Sequence, residues 1–403
     1  MSPSSVFPPE IYDKIIDEVS SSSSKANLSA CSLVDRSWIS RSRAHMFRDI
    51  NFTTASKKDI PTSIKHTVAF QQNVASNTDV ALYARHLVLT LTSSGNTASQ
   101  IPQASQLLNL HSITLKCSNI IIYAVNDAIL TRLLSFIRHN QNLEHISVQS
   151  LIIEPSAFDV FIKCIGIRAP RLRSLHLQSI WGLDWTTDAW NQRKSAQRSE
   201  SHHKVYSLTK LFISHCEDGL ISTFIGAFDL RYLEQIALMN LDWGSCMAII
   251  AATSNSTSLN HFTLDLSDHR RFLIVNGSGE DVFTRLASIP TVQLMLQRFS
   301  DAPSTLQRLH RAVFQRQHFL EQLHLQFRQY PSPSEPVIDT AFREFQYTFP
   351  RLRVTIGFDI QEGISSTSAA TMNTSALFRR MGQTGGLQFE SLDAWWTHEA
   401  ERY

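Results

Sequence analysis

The residues with the most evident chemical potential are the adjacent histidines His202 and His203, with Asp184 and Asp188 upstream of them. Imidazole nitrogens and carboxylate oxygens both ligate divalent metals. A metal site, however, needs fixed ligand spacing, such as two histidines one helical turn apart in an HExxH helix. No such spacing occurs, and a solvated polar loop accounts for these residues. The stretch Asn276-Gly-Ser-Gly279 has two glycines of a phosphate-cradling loop without the third, and reads as a turn. There is no Walker-type GxxxxGK motif and no GxSxG nucleophile elbow. Serine, histidine and aspartate are abundant, but their order along the chain assembles no triad. The cysteines Cys31, Cys117, Cys164, Cys216 and Cys246 are odd in number and contain no CxxC pair. They read as small buried apolar side chains kept reduced. The expectation is a protein with no catalytic residues, no cofactor and no metal.

Composition agrees with a binding role. Of 403 residues, 43% are hydrophobic and 18% charged, which suits a folded chain with a sizeable core. The net charge of +2 supplies no global field to hold the chain on DNA, RNA or an anionic membrane, so neither nucleic acid nor membrane is an expected partner. The N-terminal residues carry no basic segment followed by an apolar one, and no apolar run approaches the roughly 20 residues of a membrane span. A cytoplasmic or nuclear location is expected.

Two kinds of element must position whatever surface does the binding. At the N-terminus, Pro8 and Pro9 precede Ile11, Ile15, Ile16 and Val19, whose spacing gives one apolar helical face. The serines Ser20 to Ser24 interrupt it. Leu28, Cys31 and Val34 then recur every three residues as a second helix. Asp35 is placed to cap a third helix carrying Trp38, Ile39 and Met46, and Phe47, Ile50 and Phe52 follow as a strand. So small a unit has a thin core and needs a neighbour or partner to bury its apolar surface.

This segment, Val6 to Phe52, resembles the F-box in the version seen in many fungal proteins. The match runs through Phe7-Pro8-Pro9-Glu10-Ile11, the Ile15-Ile16 pair, Leu28 to Val34, Arg36-Ser37-Trp38 and Phe47-Arg48-Asp49-Ile50. The resemblance implies docking on the Skp-type linker subunit of an SCF ubiquitin ligase, and through it on a cullin. The residues at linker-contacting positions are Pro8, Pro9, Ile11, Ile15, Leu28, Cys31, Leu33, Val34 and Trp38.

Beyond it, the pattern leucine, two residues, apolar, one residue, apolar recurs from Leu110, Leu143, Leu172, Leu208, Leu233, Leu259 and Leu320. Ile289-Val292-Leu294 is a degenerate copy, Leu352-Val354-Ile356 a compressed one, and Leu87-Leu89-Leu91 a candidate first strand. Helical stretches such as Asp127 to Arg138 and Ala157 to Ile167 fill the gaps. A unit of 25 to 36 residues with one strand and one helix resembles a leucine-rich repeat, of low regularity here. The family's ninth-position Asn or Cys appears at Cys216, while Leu151, Ile180, Leu241 and Ser267 stand there elsewhere. The expected fold is therefore α/β: an N-terminal three-helix F-box followed by an irregular leucine-rich-repeat solenoid, or horseshoe.

The expected boundaries are residues 1–52 for the helical module, 53–80 for a linker, and 81–360 for the repeats, with an insertion at 181–204 holding Trp181, Trp185 and Trp190. Residues 361–403 form a low-complexity segment and an aromatic C-terminal cap around Leu387, Phe389, Trp395 and Trp396. Strand side chains alternate, so the residues between the apolar ones face outward. On that concave face Thr114, Ser147, His176, Phe212, Met239, Thr263 and His324 are the candidate contacts to a protein substrate. The resemblances imply a substrate-recognition adaptor of an SCF-type ubiquitin ligase. The alternative is a leucine-rich-repeat interaction scaffold acting outside any ligase.

Overall fold

The computed structural model describes residues 8–22, 25–53, 78–91, 101–117, 127–182, 208–254, 256–267, 279–298, 301–315, 319–328, 345, 347, 349, 352–358 and 387–389. The chain divides into two compact units, Met1–Ser207 and Leu208–Tyr403.

The first unit opens with helices α1 (Pro9–Ser22), α2 (Lys25–Val34) and α3 (Arg36–Arg48). Asp35 caps α3: its carboxylate accepts the Ser37 N–H at 2.8 Å. This satisfies one of the amides that a helix start leaves unpaired. Helix α3 passes without a break into β1 (Asp49–Thr53). A short helix α4 (Thr78–Tyr83) leads to β2 (His86–Leu91), and β3 (Ser112–Cys117), α5 (Asp127–His139), β4 (His145–Ile153), α6 (Pro155–Arg168) and β5 (Ser174–Gly182) follow. The five strands pair in parallel in chain order.

The second unit repeats the scheme. It runs β6 (Lys210–Ser214), α7 (Asp218–Ala227), β7 (Gln235–Met239), α8 (Trp243–Ala252), β8 (His261–Asp265), α9 (Gly279–Leu286) and β9 (Thr291–Leu296). Then come α10 (Ala302–Gln315), β10 (Gln322–Phe327), β11 (Arg353–Phe358) and β12 (Leu387–Phe389). These strands too are parallel and in chain order.

The sheets form because each strand offers one apolar face in a common register. In the first unit Ile50, Leu87, Ile113, Ile146 and Leu175 stand side by side; in the second, Leu211, Ile236, Phe262, Val292, Leu323 and Val354 do. All are buried. Before several strands one backbone carbonyl accepts two N–H groups from the next crossover. His111 O takes those of Glu144 and His145 at 2.8 and 3.0 Å, and Glu144 O takes those of Arg173 and Ser174 at 2.8 and 2.9 Å. Buried Asn140 does the same with its side chain, donating to Phe136 O and accepting from the Leu110 N–H, both at 2.8 Å. The loops at this end of the strands thus leave few backbone groups unpaired.

This corrects the expected three-helix F-box followed by a leucine-rich-repeat horseshoe. The α/β class stands, but what forms is all-parallel sheet clad by helices, and its first strand grows directly out of α3 and pairs with β2 over five positions. The reason lies in how little the sequence pattern specifies. A buried leucine followed by alternating apolar residues encodes a strand with one covered face, which any parallel α/β sheet uses. Among the described residues no helix is long and apolar enough to cross a membrane.

Among the described residues four that are not glycine lie in the left-handed region: Ser150 (φ 57°), Ser179 (53°), His215 (52°) and Asn240 (48°). Each stands seven positions after a leading leucine: Leu143, Leu172, Leu208 and Leu233. Each costs about 1 kcal/mol of backbone strain. In every case the following residue is driven into the core: Leu151, Ile180, Cys216 and Leu241 are all buried.

Candidate docking surfaces

On the N-terminal helices, Ile16 and Leu28 are buried and hold the packing. Trp38 is half-buried against Tyr12, with ring centroids 5.5 Å apart. What remains outward is apolar: Ile11 is 40% exposed, Ile15 41%, Leu33 84% and Val34 67%. Ile11 and Ile15 are one helical turn apart on α1, and Leu33 and Val34 end α2. Cys31 is half-buried and Pro8 exposed, and Pro9 stands at the first position of α1. The positions expected from the sequence to meet a linker thus split into internal supports (Leu28, Trp38) and an exposed apolar set.

A polar clamp that sequence reasoning missed braces this set. Arg41 donates to both oxygens of Asp17, Nε to Oδ1 at 2.8 Å and Nη2 to Oδ2 at 2.7 Å, while His45 Nε2 lies 2.7 Å from Oδ1. The Arg41 hydrogen bonds are the main reason the Asp17 carboxyl is pulled down to a pKa of about 2. The signal in the sequence was the four-residue spacing of Arg41 and His45, which puts both on one face of α3.

On the outward face of the first sheet, the register sets Thr114, Ser147 and His176 side by side, with Lys116, Gln149 and Gln178 in the next row. Gln149 Nε2 donates to Ser147 Oγ at 3.2 Å, and that oxygen lies 3.3 Å from His176 Nδ1. Burial, with the Lys116 charge second, lowers the His176 pKa to about 4. An imidazole so depressed is a weak base at neutral pH.

The second sheet spends its polar groups internally. Thr263 is buried; its hydroxyl donates to Gln293 Oε1 at 3.3 Å and lies 3.3 Å from His261 Nε2. Gln293 Nε2 donates onward to Gln326 Oε1 at 2.9 Å. His261 is lowered to about 4, by burial first and then by His324. At the strand ends Asp265 accepts Arg328 Nη2 at 2.6 Å and the Ser267 N–H at 2.9 Å, and Arg328 also donates to Asn240 Oδ1 at 3.0 Å. Phe212, Met239 and His324 remain half-buried. His202, His203, Asp184 and Asp188, the tryptophans Trp185 and Trp190, and Trp395 and Trp396 lie outside the described residues. Among the described residues no group of histidine, cysteine and carboxylate side chains is arranged to hold a metal ion.

Comparison with known families adds no assignment: no family model matches the chain, and no curated protein matches it.

Proposed function

We propose that the chain is a non-catalytic adaptor: its N-terminal helices dock on a Skp-type linker of a cullin ubiquitin ligase, and its outward sheet face receives a protein substrate. It works in the cytoplasm or nucleus by holding that substrate in place for transfer by other subunits, so that its contribution is proximity. The observation that carries the reading is the exposure of Ile11, Ile15, Leu33 and Val34, four of the positions at which an F-box-like sequence meets its linker. Apolar side chains this exposed on a small helical cluster call for a covering partner.

Co-expression with a Skp-type linker tests this. The wild-type chain co-purifies with it. The double substitution Leu33→Asp and Val34→Asp weakens binding more than a hundredfold, since about 1.5 to 3 kcal/mol of apolar burial per side chain is lost. Both positions point to solvent, so the melting temperature stays unchanged. Equal co-purification of the variant, or none by the wild type, rejects the linker.

A further inference from the structure

Strands β4 and β5 are nine residues long, whereas the other described strands have three to six. Their extra length follows the paired left-handed serines Ser150 and Ser179, which the register skips: Gln149 pairs with Gln178, and pairing resumes at Leu151 with Ile180. Such a step changes the phase of alternation. Leu151, Ile153 and Ile180 go into the core. Ile152 and its partner Trp181 go to the outward, otherwise polar face, where Ile152 is half-buried and Trp181 is 47% exposed. At His215 and Asn240 the same backbone turn ends the strand, so no outward extension forms there.

Two strained residues on neighbouring strands, in register, thus serve to present an aliphatic and an aromatic side chain beside a glutamine pair. At Ser150 and Ser179 this strain is held inside a strand, whereas at His215 and Asn240 it falls just past a strand end. Tryptophan is the residue type most often found at the energetic centre of protein interfaces. Glutamine offers both a donor and an acceptor, as a peptide backbone requires. In the rows of β3 to β5 that face outward, the single formal charge is Lys116, beside Gln149.

We propose that Ile152 and Trp181 form the anchor subsite for an extended segment of a partner protein, one that carries a large apolar side chain and, about three residues away, a carboxylate. The apolar side chain lies between Ile152 and Trp181, Gln149 and Gln178 hold the segment's backbone, and Lys116 pairs with the carboxylate. The spacing follows from the sheet. From the middle of the Ile152–Trp181 pair to Lys116 is one and a half strand spacings across and three residues along, roughly 12 Å, which three residues of extended chain span together with the reach of the lysine side chain. The inference rests on the adaptor reading for its biological sense, but it stands or falls on the sheet alone.

Selection of random twelve-residue peptides on phage against the full chain tests it. The expected enrichment is for an apolar residue followed at the third position by Asp or Glu. Trp181→Ala reduces capture of the enriched phage at least tenfold, and Lys116→Glu switches the preference at the third position to Lys or Arg. Failure to enrich any such pattern, or enrichment unaltered by the two variants, overturns the proposal. So does binding of a neutral oligosaccharide panel, in place of peptides, that disappears in Trp181→Ala. Linker co-purification is measured on the same variants and stays at the wild-type level, so loss of the adaptor reading and loss of this subsite give different results.

Discussion

Substituting Arg328 with methionine tests how the second sheet tolerates a charge on its outward face. The Asp265 carboxylate is 1% exposed and receives Arg328 Nη2 at 2.6 Å. At an effective dielectric of about 20 and a charge separation of about 4 Å, the pair gains roughly 4 kcal/mol of attraction, offset by desolvation. Arg328→Met removes the attraction and leaves the desolvation, a loss of about 3 to 5 kcal/mol for a buried pair. The Ser267 N–H at 2.9 Å and the Asn240 N–H at 3.3 Å still serve the carboxylate, which puts the loss at the lower end, about 3 kcal/mol. With a urea dependence of about 2 kcal/mol per M, the midpoint falls by about 1.5 M, read by hydrogen exchange of amides in β7 to β10. The decisive arm is the double variant Asp265→Asn, Arg328→Met. It carries no buried charge, so it is more stable than Arg328→Met alone. A midpoint shift under about 0.3 M for Arg328→Met, or a double variant as unstable as the sum of the singles, refutes the buried-charge argument.

The remaining predictions concern the N-terminal clamp and the buried histidines. Asp17 and Arg41 are both well exposed, so Asp17→Asn costs about 1 kcal/mol, seen as roughly fivefold faster exchange of α1 amides with β7 to β10 unchanged. The Asp17 pKa lies below its unfolded value, so its contribution is present above pH 3.8 and is lost as pH falls toward 2. The α1 amides therefore lose protection over that window in the wild type but not in Asp17→Asn. His176 and His261 are depressed from 6.5 to about 4; unfolded chains take up protons there before the folded ones do, so stability is full above pH 6.5 and falls as pH drops toward 4. The double variant His176→Gln, His261→Gln flattens that limb by a few kcal/mol in a urea series at stepped pH. An unchanged slope rejects the burial of the two imidazoles.

Much of the element order was legible because it depends on local periodicity. The alternating apolar residues that follow Leu143 lie on β4, those of the degenerate copy (Val292, Leu294) on β9, and those of the compressed copy (Val354, Ile356) on β11, each leading residue standing just before its strand. Asp35 caps α3 because an Asx side chain before a helical run has few better uses. The architecture was not legible from the same signals, since the pattern records burial on one side and says nothing of how crossovers close. The candidate surfaces were half legible. Alternation placed Thr114, Ser147 and His176 in one row, but it could not foresee the phase change at Ser150 and Ser179, because a left-handed serine has no sequence signature as glycine does. Nor could it foresee the Arg328–Asp265 pair, whose partners stand 63 residues apart.

The two units also show why polar surface and available surface differ. Read from alternation alone, Thr263 and Ser147 are equivalent: each is a hydroxyl between two core residues on a middle strand. In the second unit the hydroxyl belongs to a chain running from His261 through Thr263 and Gln293 to Gln326, with Thr263, Gln293 and Gln326 all buried. A ligand there would have to replace hydrogen bonds already made, for little net gain. In the first unit Ser147, Gln149, His176 and Gln178 are only half-buried, and the row beyond them ends in an exposed tryptophan whose burial would be new. The gain on binding is largest where apolar area is still wet and adjacent polar groups can exchange water for a partner's backbone. That condition is met at the end of β4 and β5 and not at Thr263, so a partner that follows the energetics seats on Ile152 and Trp181 even though both units present similar residues.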